Sequence, residues 1–136
     1  MRQRNSSRLA CALLLIIPLG FLAKYALAPV TPFGRFLCYY GAAVFYEVFW
    51  VLVLQLVFVR WPAWRCGVIT FLATCALEFT QRWHAGWLER VRATLIGQAL
   101  LGSVFDPNDF FAYLFGSLLG VALLHVLCRP DVVAKT

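Results

Sequence analysis

The feature that most constrains this chain is a run of 24 residues, Phe36 to Val59, in which Glu47 and Gln55 are the only strongly polar members. As a helix it would be about 36 Å long at roughly 1.5 Å per residue, enough to cross a hydrocarbon core of about 30 Å with some tilt. Three further apolar stretches accompany it: Leu9 to Ala23, Cys66 to Phe79 and Phe110 to Cys128. Hydrophobic residues make up 62% of the 136 and charged residues 13%, with a mean hydropathy of +0.80. A soluble domain of this size has too much surface for its core to hide that excess. Composition therefore excludes a disordered chain and argues for lipid as the solvent. The expected fold class is all-α: a polytopic membrane protein of one domain, residues 1–136, with four transmembrane helices and one interfacial or re-entrant helix between spans three and four.

The expected spans cover about 9–27, 36–59, 64–83 and 109–128, and the interfacial segment about 86–104. Arg2, Arg4 and Arg8 before the first run give it the look of a secretory signal. Its small-residue site Ala26-Leu27-Ala28 is followed by Pro29, however, so a retained helix is expected, with Lys24 snorkelling to the interface. Lipid tolerates Pro18 and Gly20 inside such a helix. Pro29, Pro32 and Gly34 mark a connector, and Arg60-Trp61-Pro62-Ala63-Trp64-Arg65 has the cations, indoles and proline of a tight turn at a membrane surface. The third apolar run reaches spanning length only by including Trp64 at one end and Thr80 to Trp83 at the other. Leu88, Val91 and Leu95 recur at helical spacing opposite Arg90, Thr94 and Gln98, which predicts the interfacial helix. Asp106-Pro107-Asn108-Asp109 reads as a turn and helix start, because Asp and Asn cap orphan backbone N–H groups.

The net charge of +6 does not point to nucleic acid, since the cations stand singly between apolar runs and form no basic face. Such charges set topology. With the N-terminus inside, Arg2, Arg4, Arg8, Arg60, Arg65, Arg129 and Lys135 are inside, and Lys24, Arg35, Arg82, Arg90 and Arg92 are outside. The excess favours both termini in the cytoplasm. The cysteines at 11, 38, 66, 75 and 128 form no C-x-x-C pair and read as small apolar core residues. No metal site and no cofactor are expected. His84 lies six residues from Glu78, on a different helix face, and His125 reads as an interface or packing residue. The catalytic signatures H-E-x-x-H and G-x-S-x-G and a phosphate-cradling glycine loop are absent from the sequence.

What function the sequence offers lies in polar residues that lipid should exclude. A charge near the bilayer centre costs at least about 2.5–3.5 kcal/mol on insertion scales, so each needs a partner or a use. Tyr40 and Trp50 fall on the helical face of Glu47, which would make an aromatic-lined intramembrane acid. It is either a hydrogen-bonded link between helices or a functional group. Glu78, Gln81 and Arg82 share a face at i, i+3 and i+4. With Asp109, Arg90 and Arg92 they make a polar cluster, read either as an ion-pair network or as a site where an arginine grips a carboxylate or phosphate. Ala112, Gly116 and Gly120 form a small-residue stripe flanked by Asp109 and Tyr113. It suits close packing against a helix of the same chain or of a membrane-protein partner.

Tyr46-Glu47-Val48-Phe49-Trp50, then Leu77-Glu78-Phe79-x-Gln81-x-Trp83-His84, then Val91-Arg92-x-Thr94-Leu95-x-Gly97-x-x-Leu100-Leu101-Gly102-x-x-Phe105, and finally Asp109-Phe110 with Tyr113 and Gly116, together resemble a family of small bacterial membrane proteins catalogued as domain of unknown function 2809. The likeness covers about residues 36–125. It implies a four-helix membrane fold in the bacterial inner membrane and no established activity. A more distant likeness is to VanZ-like membrane proteins: Glu78, Gln81 and Arg92 match, and Asp109, Gly116 and Gly120 fit a pattern D-x-x-x-N-x-x-G-x-x-x-G. Tyr113 stands where that pattern has Asn, so the glycopeptide-tolerance association of VanZ itself is not carried over.

The favoured reading is a non-enzymatic bundle whose outer cluster, Glu78, Gln81, Arg92, Asp109 and Tyr113, binds an anionic lipid headgroup or envelope precursor. One alternative is an intramembrane enzyme or proton-coupled carrier using Glu47 or Glu78, since intramembrane carboxylates serve proton relays. The other is an accessory subunit of a larger complex, docked through the Gly116 and Gly120 face.

Overall fold

The computed structural model describes residues 2–25, 31–102 and 104–128. Residues 26–27 of the first expected span, Pro29 of the connector, Ser103 of the interfacial segment, and Arg129, Pro130 and Lys135 lie outside the described residues. The regular elements are α1 Arg2–Tyr25, α2 Pro32–Phe36, α3 Ala42–Val57, α4 Ala63–Thr80, α5 Gly86–Arg92, α6 Leu95–Leu101 and α7 Asp109–Leu127. A π-helical turn, Leu37–Gly41, carries α2 into α3. Among the described residues two helices are long and apolar enough to cross a membrane, Gly34–Val57 and Asp109–Leu127. Both fall where the second and fourth spans are expected. The region of the third is the 18-residue helix α4, which ends at Thr80 because the chain turns at Gln81 and Arg82.

The central helix is α3, which packs against α1, α4 and α7, and α7 also packs against α4. Leu9 and Ile16 of α1, Val48, Val51 and Leu52 of α3, Cys66 of α4 and Leu124 of α7 form the apolar core. Burial is otherwise inverted relative to a soluble bundle. Glu47, Gln55, Thr70, Thr74, Glu78, Gln81, Arg92 and Ser117 are buried, whereas Leu14, Phe111 and Leu118 are 71%, 74% and 62% exposed. Polar groups inside and bulky apolar groups outside is the distribution that lipid favours, because hydrocarbon cannot satisfy hydrogen bonds.

Small residues set the close approaches. A Cβ on Gly116 would lie 2.6 Å from Glu47 Cβ and 2.9 Å from Val44 O, and one on Gly120 would lie 2.9 Å from Val51 Cβ. Ala112, Gly116 and Gly120 are all buried within the chain, the two glycines against α3. Of the two occupants expected for that face, a helix of the same chain, α3, lies against Gly116 and Gly120. Gly67 similarly lets α4 approach Val121 of α7.

The α3–α4 turn is tied by Gln55, whose Nε2 donates to Phe58 O at 3.4 Å and Trp61 O at 3.2 Å, while Cys66 Sγ donates to its Oε1 at 3.6 Å. Phe58 and Trp61 stack at 4.1 Å, and the Arg65 guanidinium lies 5.7 Å from the Trp61 ring centre. Arg8 Nη1 donates to Leu127 O at 3.4 Å, so the start of α1 and the end of α7 meet at the end of the bundle that holds this turn.

The interfacial segment is two short helices rather than one. Thr94 Oγ1 accepts from Gly97 N at 3.0 Å and caps α6, and Gly97 rests on the Val91 carbonyl, where a Cβ would clash. This hydroxyl cap starts a new helix where the apolar spacing had suggested continuation. Leu88 is accordingly buried while Leu95 is 86% exposed. At the start of α7, Asn108 makes no side-chain cap; it is held by Asp106, whose Oδ1 accepts from Asn108 N at 2.9 Å. Among the cysteines only Cys66 is buried, and Cys11 is exposed. His125 is exposed too, its Nδ1 donating to Val121 O at 2.8 Å, so it does not pack inside the bundle.

Candidate functional site

The last turn of α4 places Glu78 and Gln81 on one face, and the turn before α7 closes over them. The Glu78 carboxyl is fully buried. Its Oε2 accepts from Gln81 Nε2 at 2.8 Å and from the Tyr113 hydroxyl at 2.9 Å, and its Oε1 accepts from Asp106 N at 2.8 Å. One side chain thus joins α4, the 106 turn and α7 through three donors, the satisfaction a buried carboxyl requires. None of the three donors is a cation.

Arg92 is buried nearby but faces the end of α4. Its Nη2 donates to Thr80 O at 2.7 Å and its Nη1 to Trp83 O at 3.1 Å and Glu89 Oε1 at 3.3 Å. It therefore adds a second donor to Thr80 O at the end of α4, which also accepts from Trp83 N at 2.9 Å, and holds the Trp83 carbonyl just beyond it. Of the five expected ligand-binding residues, Glu78, Gln81 and Tyr113 converge, Arg92 does not join them, and Asp109 stands at the start of α7 without a hydrogen bond to any of them. The expected pairing of arginines with Glu78 and Asp109 is corrected. Neutral donors occupy the carboxyl, and the Thr80 and Trp83 carbonyls with Glu89 hold the guanidinium. Arg82 lies over the Phe105 ring at 5.3 Å, and Tyr40 donates to Asp106 Oδ2 at 3.3 Å.

Two participants were not singled out from the sequence. The Asp106 backbone N–H carries no residue signature at all. Gly102 does: it ends α6 at φ +66°, and a Cβ there would run into the Gln81 side chain, within 2.9 Å of its Cδ. A glycine closing a helix is a readable signal for such a conformation.

Beside this hub lies a groove of about 360 Å³ between α1, α3, α4 and α6. Ile16, Ala43, Phe49, Leu77 and Leu101 are among its apolar walls, and Thr74, Gln81, Tyr46 and Tyr113 supply its polar side chains. Three of those four already have acceptors within the chain. Tyr46 donates to Leu100 O at 3.1 Å, Thr74 to Phe71 O at 3.0 Å, and Tyr113 to Glu78. Gln81, 7% exposed, keeps a buried Oε1 with no partner.

Glu47 sits deeper, between α3, α4 and α7. Its Oε1 accepts from Ser117 Oγ at 2.6 Å, the same hydroxyl lies 3.3 Å from Gly67 O, and its Oε2 has no partner. The expected aromatic surround does not form. Trp50 packs against the rings of Tyr46 and Phe49, and Tyr40 turns to Asp106. The π-helical turn supplies the reason, because its extra residue per turn shifts Tyr40 off the face predicted by a seven-residue spacing. Ser117, with Gly67, is the neighbour that sequence reasoning missed.

Residues 34–117 match a family described as protein of unknown function (DUF2809). The chain belongs to this family. The DUF2809 segment holds Glu47, Glu78, Gln81, Arg92, Gly102, Asp109, Tyr113 and Ser117, and α1 precedes it. No solved structure matches the chain. Chemically, the DUF2809 site offers a carboxyl held by three donors, an apolar groove and, on Gln81 beside it, a buried oxygen without a partner.

Proposed function

We propose that the chain is a four-span protein of the bacterial inner membrane, with both termini in the cytoplasm, that holds a membrane lipid in the groove beside Gln81 and catalyses no reaction. The observation that carries this reading is the groove itself, apolar along its walls and closed by the Glu78 hub, in a bundle whose outer surface is apolar. α1 and α4, 24 and 18 residues long, are taken as the other two spans. Arg8, Arg60 and Arg65 gather at one end, to which the sequence adds Arg2, Arg4, Arg129 and Lys135, against Lys24, Arg35, Arg82, Arg90 and Arg92 on the other side. That excess of cations supports the cytoplasmic assignment of the first end. An anionic headgroup held by Arg92 is not favoured, because both terminal guanidinium nitrogens are held within the chain, Arg92 does not line the groove, and the lining side chains carry no charge. The VanZ-like pattern adds no activity to this reading.

Native mass spectrometry of the chain released from its own membrane tests it. One bound lipid per chain is expected, lost in Ala43→Leu, which narrows the groove, and kept in Arg92→Ala, which lowers only the unfolding midpoint. Lipid-free protein, or equal retention by Ala43→Leu, overturns the reading. A proton-coupled or enzymatic role for Glu47 has one observation in its favour, the unpartnered Oε2. Against it, Glu47 does not line the groove and is fully buried. Full function in Glu47→Gln would remove that alternative.

A further inference from the structure

Resting on the groove reading, we infer that its occupant is a single-chain amphiphile with a neutral, hydrogen-bond-donating head, of the long-chain alcohol class, whose hydroxyl donates to Gln81 Oε1. The groove lining carries no charge of either sign. A phosphate or ammonium head would therefore lose its hydration without gaining a counter-ion. The hydroxyl donors of the lining are already committed: Tyr46 to Leu100 O, Thr74 to Phe71 O and Tyr113 to Glu78 Oε2. What remains is the Gln81 amide, whose oxygen lacks a donor. Gln81 Oε1 is buried without a partner, while the Nε2 of the same amide is fixed on Glu78 at 2.8 Å, which orients the amide and leaves the oxygen unmatched. Gly102 lies so close to that amide that a Cβ there would run into it. A ligand that only accepts hydrogen bonds leaves Oε1 as it is, whereas one that donates satisfies it. The volume, about 360 Å³, is at the small end of ligand pockets, which suits one chain rather than the two of a diacyl lipid.

The test uses the full chain in phosphatidylcholine nanodiscs and a photoreactive, tritiated hexadecanol. Unlabelled hexadecanol, its methyl ether, hexadecylamine and hexadecyl phosphate compete for labelling. These share a chain and differ in the head. Hexadecanol is expected to compete at about five- to tenfold lower mole fraction than the ether, the worth of one buried hydrogen bond, and the amine and phosphate to compete less well than the alcohol. Gln81→Leu is expected to erase the difference between alcohol and ether, and Ala43→Leu to abolish labelling. Equal competition by alcohol and ether, or the phosphate or amine as the best competitor, overturns the head-group inference while leaving the groove reading intact. Retention of the preference in Gln81→Leu overturns the assignment to Gln81. Absence of labelling in the unaltered chain overturns the groove reading and the inference together. If Gln81→Leu does not fold, the four competitors on the unaltered chain still decide.

Discussion

Glu78 and Gly116 show how single side chains hold this bundle. Removing the Tyr113 hydroxyl in Tyr113→Phe deletes one of three hydrogen bonds to Glu78 and is expected to cost about 1 kcal/mol. Glu78→Ala strands Tyr113, Gln81 Nε2 and Asp106 N together, so its loss should exceed that of Tyr113→Phe by at least about twofold. Unfolding titrations in mixed micelles rank the two, and equal losses would mean that the carboxyl does not hold the hub. Gly116→Ala would bring a methyl within 2.6 Å of Glu47 Cβ, and overpacking of this kind costs about 1–3 kcal/mol in the same titration. Glu78, Gln81 and Tyr113 were legible in the sequence because polar residues in an apolar run must find partners and their helical spacing limits which. Arg92 was misread because matching opposite charges overlooks the carbonyls at a helix end. Those groups belong to every sequence and mark none.

The helices themselves follow from apolar periodicity, and the apolar runs 36–59 and 110–128 located α3 and α7 closely. Periodicity is blind to interruptions that keep the chain helical on both sides. The π-helical turn at Leu37–Gly41 moved Tyr40 away from Glu47, and the Thr94 cap split the expected interfacial helix into α5 and α6. Thr94→Val removes the acceptor for Gly97 N while nearly preserving side-chain volume. The expected loss is about 1 kcal/mol, confined to α6. Hydrogen exchange should show faster amides at 95–98 and unchanged amides in α3 and α7; a uniform acceleration would indicate that α6 is not an independent local unit.

Inverted burial, with Glu47, Glu78 and Ser117 inside and Phe111 and Leu118 outside, gives the molecule a lipid-compatible surface and a polar interior. Composition announces the first half of that arrangement. The second depends on which faces meet, which the small-residue stripe of α7 decides by admitting α3. On the function proposed above, α1, α3, α4 and α7 alternate across the membrane, with the α3–α4 turn on the cytoplasmic side and the α5–α6 region on the other. The direct measurement starts from a chain freed of its five cysteines and given one new thiol at an exposed position, either Pro62→Cys in the first turn or Gly86→Cys, where a Cβ meets open space. A membrane-impermeant maleimide is applied to spheroplasts before and after disruption. The account predicts labelling of Gly86→Cys in intact spheroplasts and of Pro62→Cys only after disruption; labelling of both, or of neither, before disruption would contradict it.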